Sequence, residues 1–307
     1  MTGAIDAARE ILRGACGDRV RDDVSMAPLT TFRIGGPAAL FLEPNDLDDL
    51  HAVARAVGST GIAVAIVGKG SNVLVADEGF AGIVLRLGHG FRWSARAGDT
   101  VTAGAAMPLP ALAGIAQQHG LAGIGFGVAI PASLGGAVRM NAGAHEGQMA
   151  DVVATVDIFE LAADRARTLA ADEVGFAYRS TALPTDGVVV AASLGLRPGD
   201  PAEIRAAMDA ARRWRRDTQP LAEPNCGSVF TNPPGEHAAA LIDAAGLKGA
   251  SIGGASVSSK HANFIVTAPG ATAADVRALI ELVRAGVDRA SGIVLQTEVR
   301  TIGGPDV

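Results

Sequence analysis

Residues 101–138 contain no Asp, Glu, Lys or Arg, yet they are dense in glycine and interrupted by Pro108, Pro110 and Pro131. A membrane-spanning helix needs about 20 consecutive, predominantly apolar residues. The prolines, the polar group Gln117-Gln118-His119 and the many glycines prevent such a run. Glycine at this density also weakens regular helices and strands. A charge-free segment of this kind reads as a buried, backbone-rich ligand cradle. A packed loop with small residues at close crossings is the other reading, and the segment alone does not separate the two.

The rest of the chain limits its partners. Its 307 residues are long for one core and suggest two or three modules. A net charge of −6 argues against general nucleic-acid binding, which needs clustered Lys and Arg, but leaves room for an anionic small molecule. The two cysteines, Cys16 and Cys226, support neither a disulfide framework nor a cysteine-rich zinc site, and no metal is expected. Asp6, Arg9 and Glu10 interrupt the N-terminal segment where a signal peptide would be apolar, so it reads as an amphipathic helix. We expect a cytoplasmic monomer with no membrane association.

Apolar spacing predicts a mixed α+β chain. Helices are expected over 47–57, capped by Asn45 or Asp46, and over 108–119, 201–216, 236–245 and 272–289. The last has Thr272 and Asp275 placed as a capping box. Strands are expected over 62–67, with both faces buried, and over 83–87, 152–161, 188–196, 262–266 and 293–302. The module boundaries are set at 1–88, 89–203 and 204–307, and the last strand is allowed to return to the first part.

Three clusters carry candidate chemistry. Val67, Gly68, Lys69, Gly70, Ser71 and Asn72 follow a strand, and glycines there let backbone N–H groups face a phosphate. The spacing fits neither a Walker A loop nor a dinucleotide fingerprint, and a tight turn between strands remains the alternative. The second cluster is the glycine-rich run centred on 123–144. The third, 224–233, leads on to Lys248 and to Lys260, His261 and Asn263, a set of donors suited to an anionic sugar nucleotide. Cys226 invites a nucleophile reading, but no activating partner is evident.

Taken in order, the motifs become specific. They are TTFRIGGPA at 30–38, GKGSN at 68–72, IPASLGGAVRMNAGA at 130–144, Tyr178-Arg179-Ser180, Gly227-Ser228-Val229-Phe230, SSKHANF at 258–264 and Glu298-Val299-Arg300. The set resembles the UDP-N-acetylenolpyruvoylglucosamine reductase (MurB) family, from about residue 29 to 303. The resemblance implies a two-part FAD-binding fold like that of vanillyl-alcohol oxidase (PCMH-like) plus a C-terminal α+β substrate-binding domain. It implies non-covalent FAD held by Val67, Gly68, Lys69, Gly70, Ser71, Asn72, Gly127, Ile130, Pro131, Ser133, Gly135, Gly136, Asn141, Ala142 and Gly143. Asn232, Lys260 and His261 are expected at the substrate, and Arg179, Ser228 and Glu298 in catalysis. Ala132 stands where the family has glycine. Tyr178 is the only tyrosine, so the subgroup with a substrate-clamping tyrosine loop is excluded and the diphosphate clamp is left unassigned.

The resemblance also implies the reaction. NADPH reduces the flavin, hydride from flavin N5 reaches the enolpyruvyl double bond of UDP-N-acetylenolpyruvoylglucosamine, and Ser228 supplies a proton, giving UDP-N-acetylmuramate for peptidoglycan. Arg179 offers a planar, permanent cation for the carboxylate on which charge develops. Glu298 helps only when protonated or through a donor that it holds. Two alternatives stay open: another FAD-dependent oxidoreductase of the same fold, and a non-catalytic flavin or sugar-nucleotide binder. Many oxidases of that fold attach flavin through a His where this chain has Asn72.

Overall fold

The protein is described from a computed structural model covering residues 2–144, 147–305 and 307. Helix α1 (Thr2–Cys16) leads into β1 (Arg21–Ser25), β2 (Pro37–Leu42), α2 (Leu47–Thr60), β3 (Val64–Ile66), β4 (Val73–Val75) and β5 (Phe80–Leu85). Next come β6 (Ser94–Ala97), β7 (Thr100–Gly104), α3 (Leu109–Gln118), β8 (Leu121–Ala122) and α4 (Leu134–Arg139). The short strands β9 (Gly143–Ala144) and β10 (Gly147–Gln148) precede β11 (Val153–Glu160), β12 (Arg165–Ala170), β13 (Gly187–Gly195) and β14 (Arg197–Pro198). The final third holds α5 (Pro201–Thr218), α6 (Ala238–Ala244), β15 (Ser251–Ile252), β16 (Ala255–Val257), β17 (Ile265–Thr267), α7 (Ala273–Ser291) and β18 (Arg300–Ile302).

The chain divides into two compact units. The first takes Met1–Asp22, Leu40–Lys69 and Gly82–Trp214; the second takes Asp23–Ala39, Gly70–Ala81 and Arg215–Val307. Both units are discontinuous in sequence.

The first unit has two cores. In α1 the spacing Ala8, Leu12, Cys16 puts one stripe inward, where it joins Leu50 and Val53 of α2 and Leu40, Leu42, Ile83 and Leu85. Asp46, rather than Asn45, caps α2 by accepting from Asp49 N at 2.9 Å. The second core lies under a five-stranded antiparallel sheet of order β12-β11-β13-β7-β6. Strand β13 reads as continuous apolar sequence because both its faces are covered: Val188 and Val190 enter the first core, Val189, Ala192 and Leu194 the second.

The expected buried strand over 62–67 is corrected to a shorter β3, with Ile66 37% exposed. The cause is its position at the edge of a sheet of order β1-β2-β5-β3, where only β5 pairs with it, in parallel.

In the second unit α7 buries Val276, Leu279, Ile280, Val283 and Val287, and Thr272 and Asp275 form the predicted capping box. Asp77 adds to that terminus by accepting from Ala273 N at 2.7 Å and Ala274 N at 2.9 Å. The expected closing strand over 293–302 shrinks to β18, which pairs in parallel with β4 from Arg300↔Val73 to Ile302↔Val75. Residues before it have no continuous neighbour; their bonds go one at a time to the 229–231 segment. The strand expected over 262–266 starts only at Ile265, because Phe264 N turns back to His261 O at 3.0 Å. The helix expected from residue 236 starts at Ala238.

Candidate active site

In the first unit the two glycine motifs meet. A Cβ built on Gly68 would stand 2.4 Å from Ser133 Oγ, so only glycine lets the 67–69 backbone approach the N-cap of α4. Ser133 is buried, while Pro131 and Gly136 on either side are exposed and Ile130 and Gly135 half-buried. Along the GKGSN loop, the N–H groups from Gly68 to Ser71 donate to no protein acceptor among the described residues. Within the first unit, the undirected N–H groups of Gly68 and Lys69 next to an uncharged, partly open glycine segment suit a phosphate-bearing ligand with a flat apolar body. Gly127, by contrast, is buried inside a 3₁₀ turn.

Asn141 is 2% exposed and its side chain is fully used within the protein. Nδ2 donates to Ala177 O (2.9 Å) and Gln148 Oε1 (3.1 Å), and Oδ1 accepts from Ala150 N (2.9 Å). Gly143 O accepts from Arg179 Nη2 at 3.0 Å. Arg179 itself sits at φ 54°, a left-handed conformation that costs a residue with a Cβ about 1–2 kcal/mol. Its guanidinium lies 5.0 Å from the centroid of the exposed Tyr178 ring.

In the second unit a turn presents Ser228. Asn225 Oδ1 accepts from Gly227 N at 2.9 Å, and Gly227 takes φ 80° to reverse the chain. Ser228 is half-buried, and its hydroxyl has no protein acceptor among the described residues. Glu298 is tied to the residue that follows: Glu298 N donates to Val229 O at 2.7 Å. Around Glu298, Leu295 and Val299 are buried while Gln296 and Arg300 are exposed. Cys226, also in this turn, is buried; burial pushes its thiol well above the ordinary range, and the charge of Glu298 pushes the same way. Such a thiol is not a nucleophile.

The other expected substrate contacts have structural partners of their own. Asn232 Oδ1 accepts from Ala238 N at 3.0 Å, at the start of α6. Lys260 Nζ donates to Arg216 O at 2.6 Å. His261 Nδ1 accepts from Asn263 N at 3.2 Å, and its ring meets Phe264 edge-on at 4.7 Å. Burial, and then the charge of Lys248, hold the His261 pKa below its usual value.

A model of the UDP-N-acetylenolpyruvoylglucosamine reductase C-terminal domain matches residues 219–302, and an FAD-binding domain model matches residues 38–166. A UDP-N-acetylenolpyruvoylglucosamine reductase of Anaeromyxobacter sp. (strain Fw109-5) is 47% identical over 301 residues, 98% of this chain and 94% of the relative. The chain belongs to the UDP-N-acetylenolpyruvoylglucosamine reductase family.

A second relative bearing that name, from Heliobacterium modesticaldum, is 48% identical over 91% of this chain and 89% of its own length. The crystal structure of the MurB from Thermus caldophilus matches with a TM-score of 0.82 and 34% identity, covering 92% of this chain and all of that one. The BBE-like 1 protein of Physcomitrella patens matches at a TM-score of 0.51 and 17% identity, over 62% of this chain and 44% of its own, and shows fold alone. The fold is thus the PCMH-like FAD-binding fold joined to the family's C-terminal domain, as the sequence led us to expect.

Against the family pattern, Ala132 is accommodated, since its φ is not positive. Arg179 falls in neither matched domain. Asn263, read from the sequence as one of the donors for an anionic sugar nucleotide, is turned inward instead: its Oδ1 accepts from Phe230 N (2.9 Å) and its Nδ2 donates to Phe230 O (2.8 Å), which holds the backbone two residues after Ser228. The available signal was a polar residue inside the apolar stretch 262–266. No helix among the described residues is long and apolar enough to cross a membrane.

Proposed function

We propose that this chain reduces the enolpyruvyl double bond of UDP-N-acetylenolpyruvoylglucosamine to give UDP-N-acetylmuramate, with non-covalent FAD and with NADPH as reductant. The substrate class rests on the relatives that carry that name over nearly the whole chain. The observation that supports the chemistry is a half-buried Ser228 hydroxyl with no protein acceptor among the described residues, next in the chain to Val229, whose carbonyl accepts from Glu298 N.

The residues present fit FAD. The Gly68 approach to Ser133 and the undirected N–H groups of Gly68 and Lys69 would take the diphosphate, and the uncharged 130–136 segment would take the flat ring system. FAD, when bound, would carry the two electrons that NADPH delivers as one hydride. Arg179 then binds the substrate carboxylate, where negative charge grows as hydride adds, so its attraction is stronger in the transition state than in the ground state. Ser228 delivers its proton to the carbon next to that carboxylate. A positioned general acid of this kind is worth about 10²–10⁴-fold. Glu298 orients the donor or the substrate beside Ser228. Lys260 and His261 bind the sugar nucleotide, Asn232 shapes their surroundings, and the enzyme works as a cytoplasmic monomer.

The test is anaerobic spectroscopy of the flavin-loaded protein. NADPH should bleach the flavin band, and UDP-N-acetylenolpyruvoylglucosamine should restore it. Ser228→Ala should bleach normally and recover about 10²–10⁴-fold more slowly. Unchanged recovery would remove Ser228 from the mechanism; bleaching without recovery in the parent would remove the substrate.

A further inference from the structure

Tyr178 and Arg179 form the two-residue tip of a small hairpin. Ala177 and Ser180 close it by exchanging both backbone bonds, Ala177 N to Ser180 O at 3.0 Å and Ser180 N to Ala177 O at 3.2 Å. Within the turn, Ser180 Oγ donates to Tyr178 O at 3.4 Å, a long bond that does little to aim the tip. The hairpin is instead fastened from residues 139–143. Thr181 Oγ1 donates to Arg139 O at 3.0 Å, and Arg139 donates onward to Leu183 O (3.1 Å), Pro184 O (2.8 Å) and Gly187 O. Arg179 reaches Gly143 O. At the base, Asn141 Nδ2 donates to Ala177 O, the same carbonyl that closes the hairpin.

Asn141 is suited to this place and to no ligand contact through its side chain. It is buried, every polar position it has is used, and its φ of 40° is one that Asn tolerates. It ties the hairpin base to Gln148 and Ala150 at once.

We infer that Asn141 is a positioning residue for Arg179: its amide fixes the hairpin that aims the guanidinium, rather than contacting the flavin. This rests on the role proposed for Arg179 above. Asn141→Asp isolates the effect. Asp also tolerates this backbone and still accepts from Ala150 N, but it turns an acceptor toward Ala177 O and Gln148 Oε1. A misplacement on the order of 1 Å of a group acting on the transition state costs about 10²-fold.

The experiment is a double-mutant cycle of Asn141→Asp and Arg179→Ala in the flavin-loaded enzyme, with the two half-reactions followed separately. In the parent background, Asn141→Asp should slow recovery of the flavin band by the sugar nucleotide about 10²-fold, through kcat more than KM. Bleaching by NADPH and bound flavin should stay unchanged. In the Arg179→Ala background the same substitution should add less than about twofold, because coupled residues are not additive. Asn141→Gly, which suits the same φ and removes the whole side chain, repeats the cycle should the Asp variant not fold. Equal slowing in both backgrounds, or loss of bound flavin, would overturn the proposal. Unchanged recovery in Arg179→Ala alone would overturn it too, by removing the role it depends on, and the single variant reports that outcome separately.

Discussion

Asn72 and Glu298, 226 residues apart, are laced together through the backbone. Asn72 Nδ2 donates to Glu298 O at 3.1 Å, and Asn72 O accepts from Arg300 N at 3.1 Å. The two bonds tie Asn72 to the backbone on either side of Val299 within the second unit. Asn72→Ala removes the side-chain half of this link. A side chain to backbone bond of this kind contributes about 1 kcal/mol net, so the unfolding free energy in urea should fall by that amount. No change in the denaturation midpoint would mean that water replaces the bond without loss.

Arg179 holds a left-handed conformation that favours glycine. Arg179→Gly and Arg179→Ala both delete the guanidinium, and both should lose sugar-nucleotide reduction. Their stabilities should differ in an unusual direction: the glycine variant should be the more stable by about 1 kcal/mol, because alanine keeps the Cβ that the turn penalises. Thermal unfolding of the pair decides it, and alanine coming out ahead would mean that the turn relaxes once the guanidinium is gone.

His261 gives a pH dependence. Its folded pKa lies below the unfolded value of about 6.5, with burial as the main cause and Lys248 second. The unfolded state then binds the proton more readily, so this contribution to stability is present above the unfolded value and is lost as pH falls through the folded one. Melting temperatures from pH 7.5 down to 5 should drop less steeply for His261→Gln than for the parent. Parallel curves would show that acid loss of stability arises elsewhere.

At the start of α7, Thr272 Oγ1 accepts from Asp275 N at 3.0 Å and Asp275 Oδ2 from Thr272 N at 3.0 Å. Thr272→Ala should cost about 1 kcal/mol. The loss should be at the low end of the range, since Asp77 continues to hold Ala273 N and Ala274 N. Combining it with Asp77→Ala should cost more than the two singles added together, as measured by chemical denaturation.

What the sequence made legible was whatever repeats along a single element. The stripe and capping box of α7, the apolar run of β13 and the cap of α2 all show in residue spacing. The order of the motifs pointed to the family and the flavin fold, and the roles proposed for Arg179, Ser228 and Glu298 rest on that same order. What stayed hidden depends on partners far along the chain. The extent of β18 is set by β4 alone, and that of β3 by β5 alone, so apolar spacing overestimated both. Asn141 and Asn263 read as parts of binding motifs, but their side chains are spent on Ala177, Ala150 and the Phe230 peptide.

The pairing of β18 with β4 also bears on synthesis. The first unit has all its segments once Trp214 has been made, whereas the second cannot seat β4 until residues 300–302 emerge. At about 5–20 residues per second, the intervening stretch takes several seconds on the ribosome. During that time β4 carries an open edge, and contacts this distant in sequence form late. The expected consequence is that the nascent chain acquires its Gly68–Ser133 contact before it acquires the pairing that steadies Glu298.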